Sequence, residues 1–360
     1  MQYKFIFGWR KYVLISFSVL MLSGCSVWGN FTTYFNLYYN ANDLFEKAEK
    51  DIQNKKQSLF SNKMKYIPGN ARQLLVKVIE KGSKILQFHK HSSYVDDALL
   101  MLGKAFYYQE NYQKSLIKFH ELLSTQPNTN LTLETNLWIG KVQIQLREFD
   151  KGLSTLDAVR AEAVKKGDKK IFRDAFITEI KYHIIQKDYS GAINLANEFL
   201  KVSNDDRINA EVEYEVGKLY QAEGDIPNAI ISFRKVQDYY PSYDIKVNSL
   251  VQLGSELRDA GRSDTALVIF NNMKDEAKYS DYYYEIDLQR GLTELKLKHY
   301  ADAIRLLKMV DTTYASKPSS GIARFELAKI YEYHFKNFDS AAYYYSRTVS
   351  STAQYDTLAE

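Results

Sequence analysis

The chain has 360 residues, with 48 Lys and Arg against 44 Asp and Glu, and one cysteine. So even a balance excludes the basic footprint expected of a nucleic-acid-binding protein. A single cysteine excludes any disulfide within the chain.

At the N-terminus, Lys4, Arg10 and Lys11 precede an apolar run, Tyr12–Met21, which leads into Leu22-Ser23-Gly24-Cys25. A basic start, a short apolar stretch and small residues at a cleavage point make a secretory signal. A run of about ten residues is too short to span a bilayer. Leu-Ser-Gly-Cys resembles the bacterial lipobox. The resemblance implies that residues 1–24 are a lipoprotein signal peptide, cleaved before Cys25, and that Cys25 is triacylated on its thiol and new amine, palmitate being one such chain. The alternative is an ordinary signal peptide with a chance cysteine. A lone thiol would be a liability in an oxidising compartment, and lipidation removes it. Each buried methylene contributes about 0.8 kcal/mol, so two or more chains hold a protein on a membrane without a spanning helix. Cleavage removes three basic residues and no acid, leaving 45 against 44. Ser26 stands where the enteric sorting rule would need Asp to retain a lipoprotein on the inner membrane. The expectation is the outer membrane. No acidic cluster follows Cys25, which favours the periplasmic face. Residues 25–40 are read as a tether.

Leu44–Lys56 and Ala71–Phe88 read as helices by apolar spacing, with Pro68-Gly69-Asn70 between them. This N-terminal pair, residues 41–91, is expected to be a degenerate repeat or a cap. Residues 92–352 then repeat one pattern seven times. Starts at Asp96, Leu133, Arg173, Ala210, Val247, Tyr284 and Gly321 are spaced by 37, 40, 37, 37, 37 and 37 residues. A fixed period in this range marks a solenoid, in which no repeat buries its apolar face alone. Residues 353–360 form a tail.

The fourth repeat is the clearest, with Val216-Gly217, Tyr220, Ala229, Phe233, Val236 and a closing Pro241. The first has Leu102-Gly103, Phe106, Ser115, Phe119, Leu122 and Pro127, and the fifth Leu253-Gly254, Leu257, Ala266, Phe270 and Met273. These residues resemble the tetratricopeptide repeat (TPR), with a small residue at position 8, an aromatic at 11, Ala at 20 and an aromatic at 24. The small residues let two antiparallel helices approach, and the large ones fill the space beside that contact. Asn111-Tyr112, Asp188-Tyr189, Gly224-Asp225 and Asn337-Phe338 mark turns within repeats. Pro127 and Pro241 stop second helices, and Pro227 sits just inside the start of one. The charged run Arg160–Lys170 suggests an overlong solvated helix in repeat 2, while repeats 3 and 6 carry Ala196 and Leu307 where an aromatic is usual. The expected fold is all-α: a right-handed TPR α-solenoid of about seven repeats plus the N-terminal helix pair.

Little in the chain points to catalysis or cofactors. It has no Gly-rich phosphate loop, Gly-x-Ser-x-Gly elbow or His-Glu-x-x-His. His89 and His91, two apart on a helix, point to different faces, and no metal is expected there. Asp96-Asp97 fit a helix N-cap. Of each run Tyr282–Tyr284 and Tyr343–Tyr345, one or two rings at most can be core.

The TPR resemblance implies that first helices line a groove through positions 2, 5, 9 and 12. Position 9 includes Lys104, Lys141, Lys181 and Lys218; position 5 includes Leu100, Leu137, Ile177 and Tyr214; position 2 is mostly acidic. In one reading these acids and lysines pair between neighbouring helices. In the other, an apolar floor and a basic row hold a peptide segment or partner helix. The asparagines of chaperone-binding TPR clamps are absent from positions 5 and 9.

His91-Ser92-Ser93-Tyr94-Val95-Asp96-Asp97-Ala98, leading into Leu102-Gly103-Lys104-Ala105-Phe106-Tyr107, resembles the β-barrel-assembly TPR lipoproteins of the outer membrane. Phe31-Thr32-Thr33-Tyr34-Phe35-Asn36-Leu37-Tyr38-Tyr39-Asn40 is similar to TPR lipoproteins of gliding and type IX secretion systems. The expectation is a non-catalytic scaffold without cofactor, lipid-anchored at Cys25, whose partners are other envelope proteins. The rival is a substrate-binding lipoprotein of an outer-membrane nutrient-uptake system.

Overall fold

A computed structural model describes residues 37–54, 59–60 and 67–349 of the chain. Cys25, the signal segment, residues 25–36 of the tether and the 353–360 tail lie outside the described residues. Among the described residues there are sixteen α-helices and no strand. They fall into two compact units, Met1–Asp188 and Tyr189–Glu360.

The first unit holds α1 (Tyr39–Gln53), α2 (Gly69–Phe88), α3 (Val95–Tyr108), α4 (Tyr112–Thr125), α5 (Thr132–Gln145), α6 (Phe149–Lys166) and α7 (Lys169–Ile185). The second holds α8 (Tyr189–Val202), α9 (Asp206–Glu223), α10 (Ile226–Lys235), α11 (Tyr243–Asp259), α12 (Ser263–Asp275), α13 (Tyr283–Lys296), α14 (Tyr300–Thr313), α15 (Pro318–Lys329) and α16 (Phe338–Val349). Each expected repeat supplies two of these helices, α3 and α4 forming the first repeat and α15 and α16 the last. The N-terminal pair α1 and α2 packs on α3, with Ala41, Phe45, Ala48, Leu75, Met101 and Ala105 sharing one core. Helix α1 starts at Tyr39, inside the segment read as tether.

The boundary between the two compact units falls between Asp188 and Tyr189, inside repeat 3. That repeat departs most from the size pattern, with Ile180 at position 8 and Ala196 at position 24. In the other repeats the small residue is at 8 and the large one at 24.

Within a repeat, the second-helix side chain at position 24 lies directly on the first helix. A Cβ on Gly103 would stand 2.3 Å from Phe119 Cε1, on Gly217 2.6 Å from Phe233 Cε1, and on Gly254 2.3 Å from Phe270 Cζ. The sequence pattern placed the ring beside the glycine contact; the ring instead occupies it. Phe119, Phe233 and Phe270 are fully buried. At position 20, Ser115 donates its hydroxyl to the carbonyl of Gly103 at 2.7 Å, closing the same contact in repeat 1.

Every repeat turns through one residue in the left-handed region. These are Glu110, Arg147, Lys187, Gly224, Gly261, Lys298 and Lys336, with φ from 53° to 78°. The next residue donates its backbone N–H back to the end of the first helix, as Asn111 does to Phe106 O at 2.9 Å and Asp225 to Tyr220 O at 2.9 Å. Asn111, Asp225 and Asn337 then cap the second helix with their side chains. Such capping contributes about 1 kcal/mol each.

In repeat 7 the first helix ends in a π turn, Ile330–His334, which adds one residue. The left-handed residue accordingly falls at Lys336, and Ala341 rather than Ser340 is buried. Of Tyr343–Tyr345 the middle ring is the buried one, stacked on Tyr331 at 5.7 Å between centres. All three of Tyr282–Tyr284 are half-buried.

Successive repeats are also joined by ion pairs from the end of a second helix to the next first helix. Lys274 meets the fully buried Asp287 at 2.6 Å, and Arg290 joins it at 3.0 Å. One repeat on the signs reverse, with Asp311 held by Arg324 at 2.5 Å and by Arg347 at 2.5 Å. The run Arg160–Lys170 is not one solvated helix. It breaks at Gly167, in the left-handed region, and Asp168 caps α7. Arg160 reaches inward to buried Glu179 at 3.0 Å, over the Phe176 ring, while Val159 and Ala163 are core.

The position 8 contact yields a direct expectation. Gly217→Leu should destabilise the protein by about 1–3 kcal/mol through overpacking against Phe233, measured by urea unfolding. An unchanged midpoint would show that the contact carries no steric constraint.

Candidate functional site

In the first unit the first helices bring lysines, acids and rings together around Trp138. Lys104, on α3, reaches Glu134 of α5 at 2.5 Å, so position 9 of one repeat pairs with position 2 of the next. Its ammonium also lies 5.5 Å from the Trp138 ring centre and 5.9 Å from that of Phe45. Lys141, one turn along α5 from Trp138, lies 4.6 Å from the same indole. Two ammonium groups therefore share one ring, an attraction worth about 0.5–2 kcal/mol per contact as water is excluded.

Tyr107 and Tyr108 complete the wall, with ring centres 5.2 and 5.8 Å from Trp138. Tyr108 donates its hydroxyl to Glu49 of α1 at 2.9 Å. Burial raises the pKa of both phenols, and Glu49 adds to the effect on Tyr108. Burial pulls the Lys141 ammonium below the ordinary lysine value; Asp174 pulls the other way, and Lys104 adds to the lowering.

Position 5 behaves differently from the expected floor. Leu100 and Leu137 are 7% and 2% exposed. Leu100 packs with Phe119, Leu122 and Trp138, and Leu137 with Leu156, Val159 and Ile171. They face the second helices and stabilise the core, so they offer nothing to a partner. Ile177 and Lys181 on α7 are half-buried. In the second unit Tyr214 is half-buried, packs on Phe233 at 5.8 Å, and its phenol is pushed up to about 12 by burial, then by Glu215. Lys218 bonds Glu215 of its own helix at 2.9 Å rather than a neighbouring repeat. From repeat 4 onward, uncharged groups enter the contacts between first helices. Gln221 donates to Gln252 at 3.3 Å and to Glu256 at 2.7 Å, and Arg258 donates to Gln289 at 2.6 Å.

Trp138, Tyr108 and Glu49 were missed in the sequence because positions 6 and 13, and the N-terminal pair, fall outside the four groove positions. A second feature also escaped notice. A cleft of about 610 Å³ opens between α5 and α6, lined among others by Thr132, Asn136, Thr155, Glu162 and Lys166. Its sequence signal is the three extra residues of repeat 2, which lengthen α6 to 18 residues. Asp96 and Asp97 occupy the first turn of α3, beyond the N-cap residue Tyr94, where they favour the helix dipole without capping it.

Helix pairs of fixed period, a small residue under a ring and a polar face along the first helices define a tetratricopeptide repeat fold. Tetratricopeptide repeat family models match residues 97–129, 211–243 and 288–356. Among solved structures, the chain is similar to a tetratricopeptide repeat protein from Parabacteroides merdae, at 13% identity over 76% of this chain and 93% of that one, with a TM-score of 0.39. It is also similar to the apo form of the quorum sensor NprR from B. thuringiensis, at 11% identity over 85% and 91%, with a TM-score of 0.44. A third is the APC/C hetero-tetramer Cut9-Hcn1, at 14% identity over 85% and 56%, with a TM-score of 0.39. No curated protein matches in sequence.

The Lys141 environment has a pH signature. A lysine with a folded pKa below its unfolded value opposes folding at pH below both, and the opposition fades as pH rises from the folded value toward the unfolded one. Raising pH toward 10.5 should therefore stabilise the wild type relative to Lys141→Met. Parallel denaturant curves at pH 7 and pH 10 test this. A constant difference would mean that Lys141 titrates as a free side chain.

Proposed function

We propose that this protein is a non-catalytic scaffold, acylated on Cys25 and held on the periplasmic face of the outer membrane, that keeps an envelope assembly or secretion complex together. Protein binding is the common use of a tetratricopeptide stack, whose repeats line an extended surface. The observation that carries the reading is the Lys104–Trp138–Lys141 cluster. Lys141 brings a charge into a half-buried aromatic site and makes no ion pair among the described residues. An acidic side chain of a bound segment would offset that cost, while the half-buried Tyr107 gives apolar contact and the buried Trp138 holds both ammonium groups in place.

The lipobox Leu22-Ser23-Gly24-Cys25 supports the anchor, and no described helix is long and apolar enough to cross a membrane. The likeness of residues 31–40 and 91–107 to envelope TPR lipoproteins supports the setting.

Cys25→Ser should release a soluble or unprocessed form, read by membrane fractionation and intact mass. A variant that fractionates as before with unchanged mass would remove the anchor from the proposal.

Reversing Lys141, Lys181 and Lys218 together to Glu should weaken co-purification of partners after mild detergent extraction, at about a kcal/mol or more per desolvated site. Circular dichroism of the triple variant checks that its helices survive, so that a loss of partners can be read as a loss of binding. Equal reversals on exposed second-helix positions are the control. Partners retained by both sets would show that these lysines are not the recognition surface.

A further inference from the structure

The last repeat carries a surface that the first repeat buries. In repeat 1, Lys104, Tyr107, Tyr108 and Tyr112 meet the first helix of repeat 2. Glu134 takes Lys104, Trp138 takes both tyrosine rings at 107 and 108, and Leu146 packs in the same cluster as Tyr112. The Lys104 side chain keeps 13% of its exposure.

In repeat 7 the equivalent residues are Lys329, Tyr333 and Phe338. The extra residue of the π turn brings Tyr333 to the place of Tyr107 and Phe338 to that of Tyr112. Tyr333 is 64% exposed and Phe338 65%. Lys329 is turned to Glu326 of its own helix at 3.1 Å, and 42% of its side chain is exposed. Repeat 6 shows what covers such a position inside the array, since Tyr300 is stacked on His334 of repeat 7 with ring centres 3.6 Å apart.

The geometry points to an end face on repeat 7 that receives an amphipathic helix of a partner protein, docked as the first helix of a further repeat would be. The established inter-repeat interface continues onto this face with the same three side-chain types. Its chemistry specifies the guest: a carboxylate for Lys329, an aromatic residue four places later for Tyr333, and aliphatic residues eight and twelve places later, the last against Phe338. That is the pattern of Glu134, Trp138, Val142 and Leu146. Helix-in-groove recognition reads such spaced anchors from one helix face.

The chain's own helix supplies the probe. A fluorescein-labelled peptide with the sequence of residues 131–147, titrated by anisotropy against the full chain in mild detergent, should bind saturably with a Kd below about 100 µM. Glu134→Lys or Trp138→Ala in the peptide should each weaken binding by at least about tenfold, as loss of an anchor does. Phe338→Asp and Tyr333→Asp in the chain should do the same, and circular dichroism should show both variants as helical as the wild type. The triple lysine reversal described above should leave peptide binding intact, which separates this face from the groove.

Absence of saturable binding, or binding indifferent to Phe338→Asp, overturns the proposal. So does a dimer in light scattering that Phe338→Asp dissociates, because the face then belongs to a second copy. Binding that emerges only after residues 351–360 are removed overturns it too, because the chain then covers its own face.

Discussion

The ring at position 24 resting on bare backbone at position 8 is the contact on which the rest of each repeat depends. With Phe233 on Gly217 and Phe270 on Gly254, the two helices of a repeat come closer than any Cβ would allow. That spacing sets which residues of the pair can reach a neighbouring repeat. Lysines and rings near the end of the first helix meet the next first helix, and the last turn of the second helix meets it from the other side. The Trp138 site is a product of the same spacing. Leu100 and Leu137 are drawn into the core below it, which leaves Lys104, Lys141 and the tyrosines as the surface.

The joints between later repeats are held in part by buried charge, which is costly to desolvate and is often no more stable than an apolar substitute. Its use here is in pairing. Repeat 5 offers Lys274 to Asp287 of repeat 6, and repeat 6 offers Asp311 to Arg324 of repeat 7. Were repeat 5 to dock against repeat 7, Lys274 would face Arg324. Like charges in such a site cost several kcal/mol by analogy with protein interfaces. In a chain of modules built on one pattern this writes the order of the modules into their contacts.

Much of this was legible in the residues. Glycine at position 8 with an aromatic at 24, prolines at helix limits and the constant period give the helix pairs nearly to the residue. Features that depend on a single inserted residue, or on sizes exchanged between two positions, were not. The π turn at Ile330–His334 has no composition of its own, so the burial of Ala341 in place of Ser340 could not be read. Charge alone misled at Arg160, whose guanidinium is drawn inward by Glu179. For the groove, the four-position rule found the lysines and missed the indole they share, because Trp138 faces along the array rather than across it.

The turns carry one further consequence. An L-residue held in the left-handed region costs about 1–2 kcal/mol that glycine does not. Glu110, Arg147, Lys187, Lys298 and Lys336 bear that cost, whereas Gly224 and Gly261 do not. The two relaxed hairpins are neighbours, in repeats 4 and 5. In a linear array stability is close to a sum of repeat and nearest-neighbour terms. Repeats 4 and 5 enter that sum with unstrained hairpins, and the later hairpins of the second unit, at Lys298 and Lys336, enter it with strained ones.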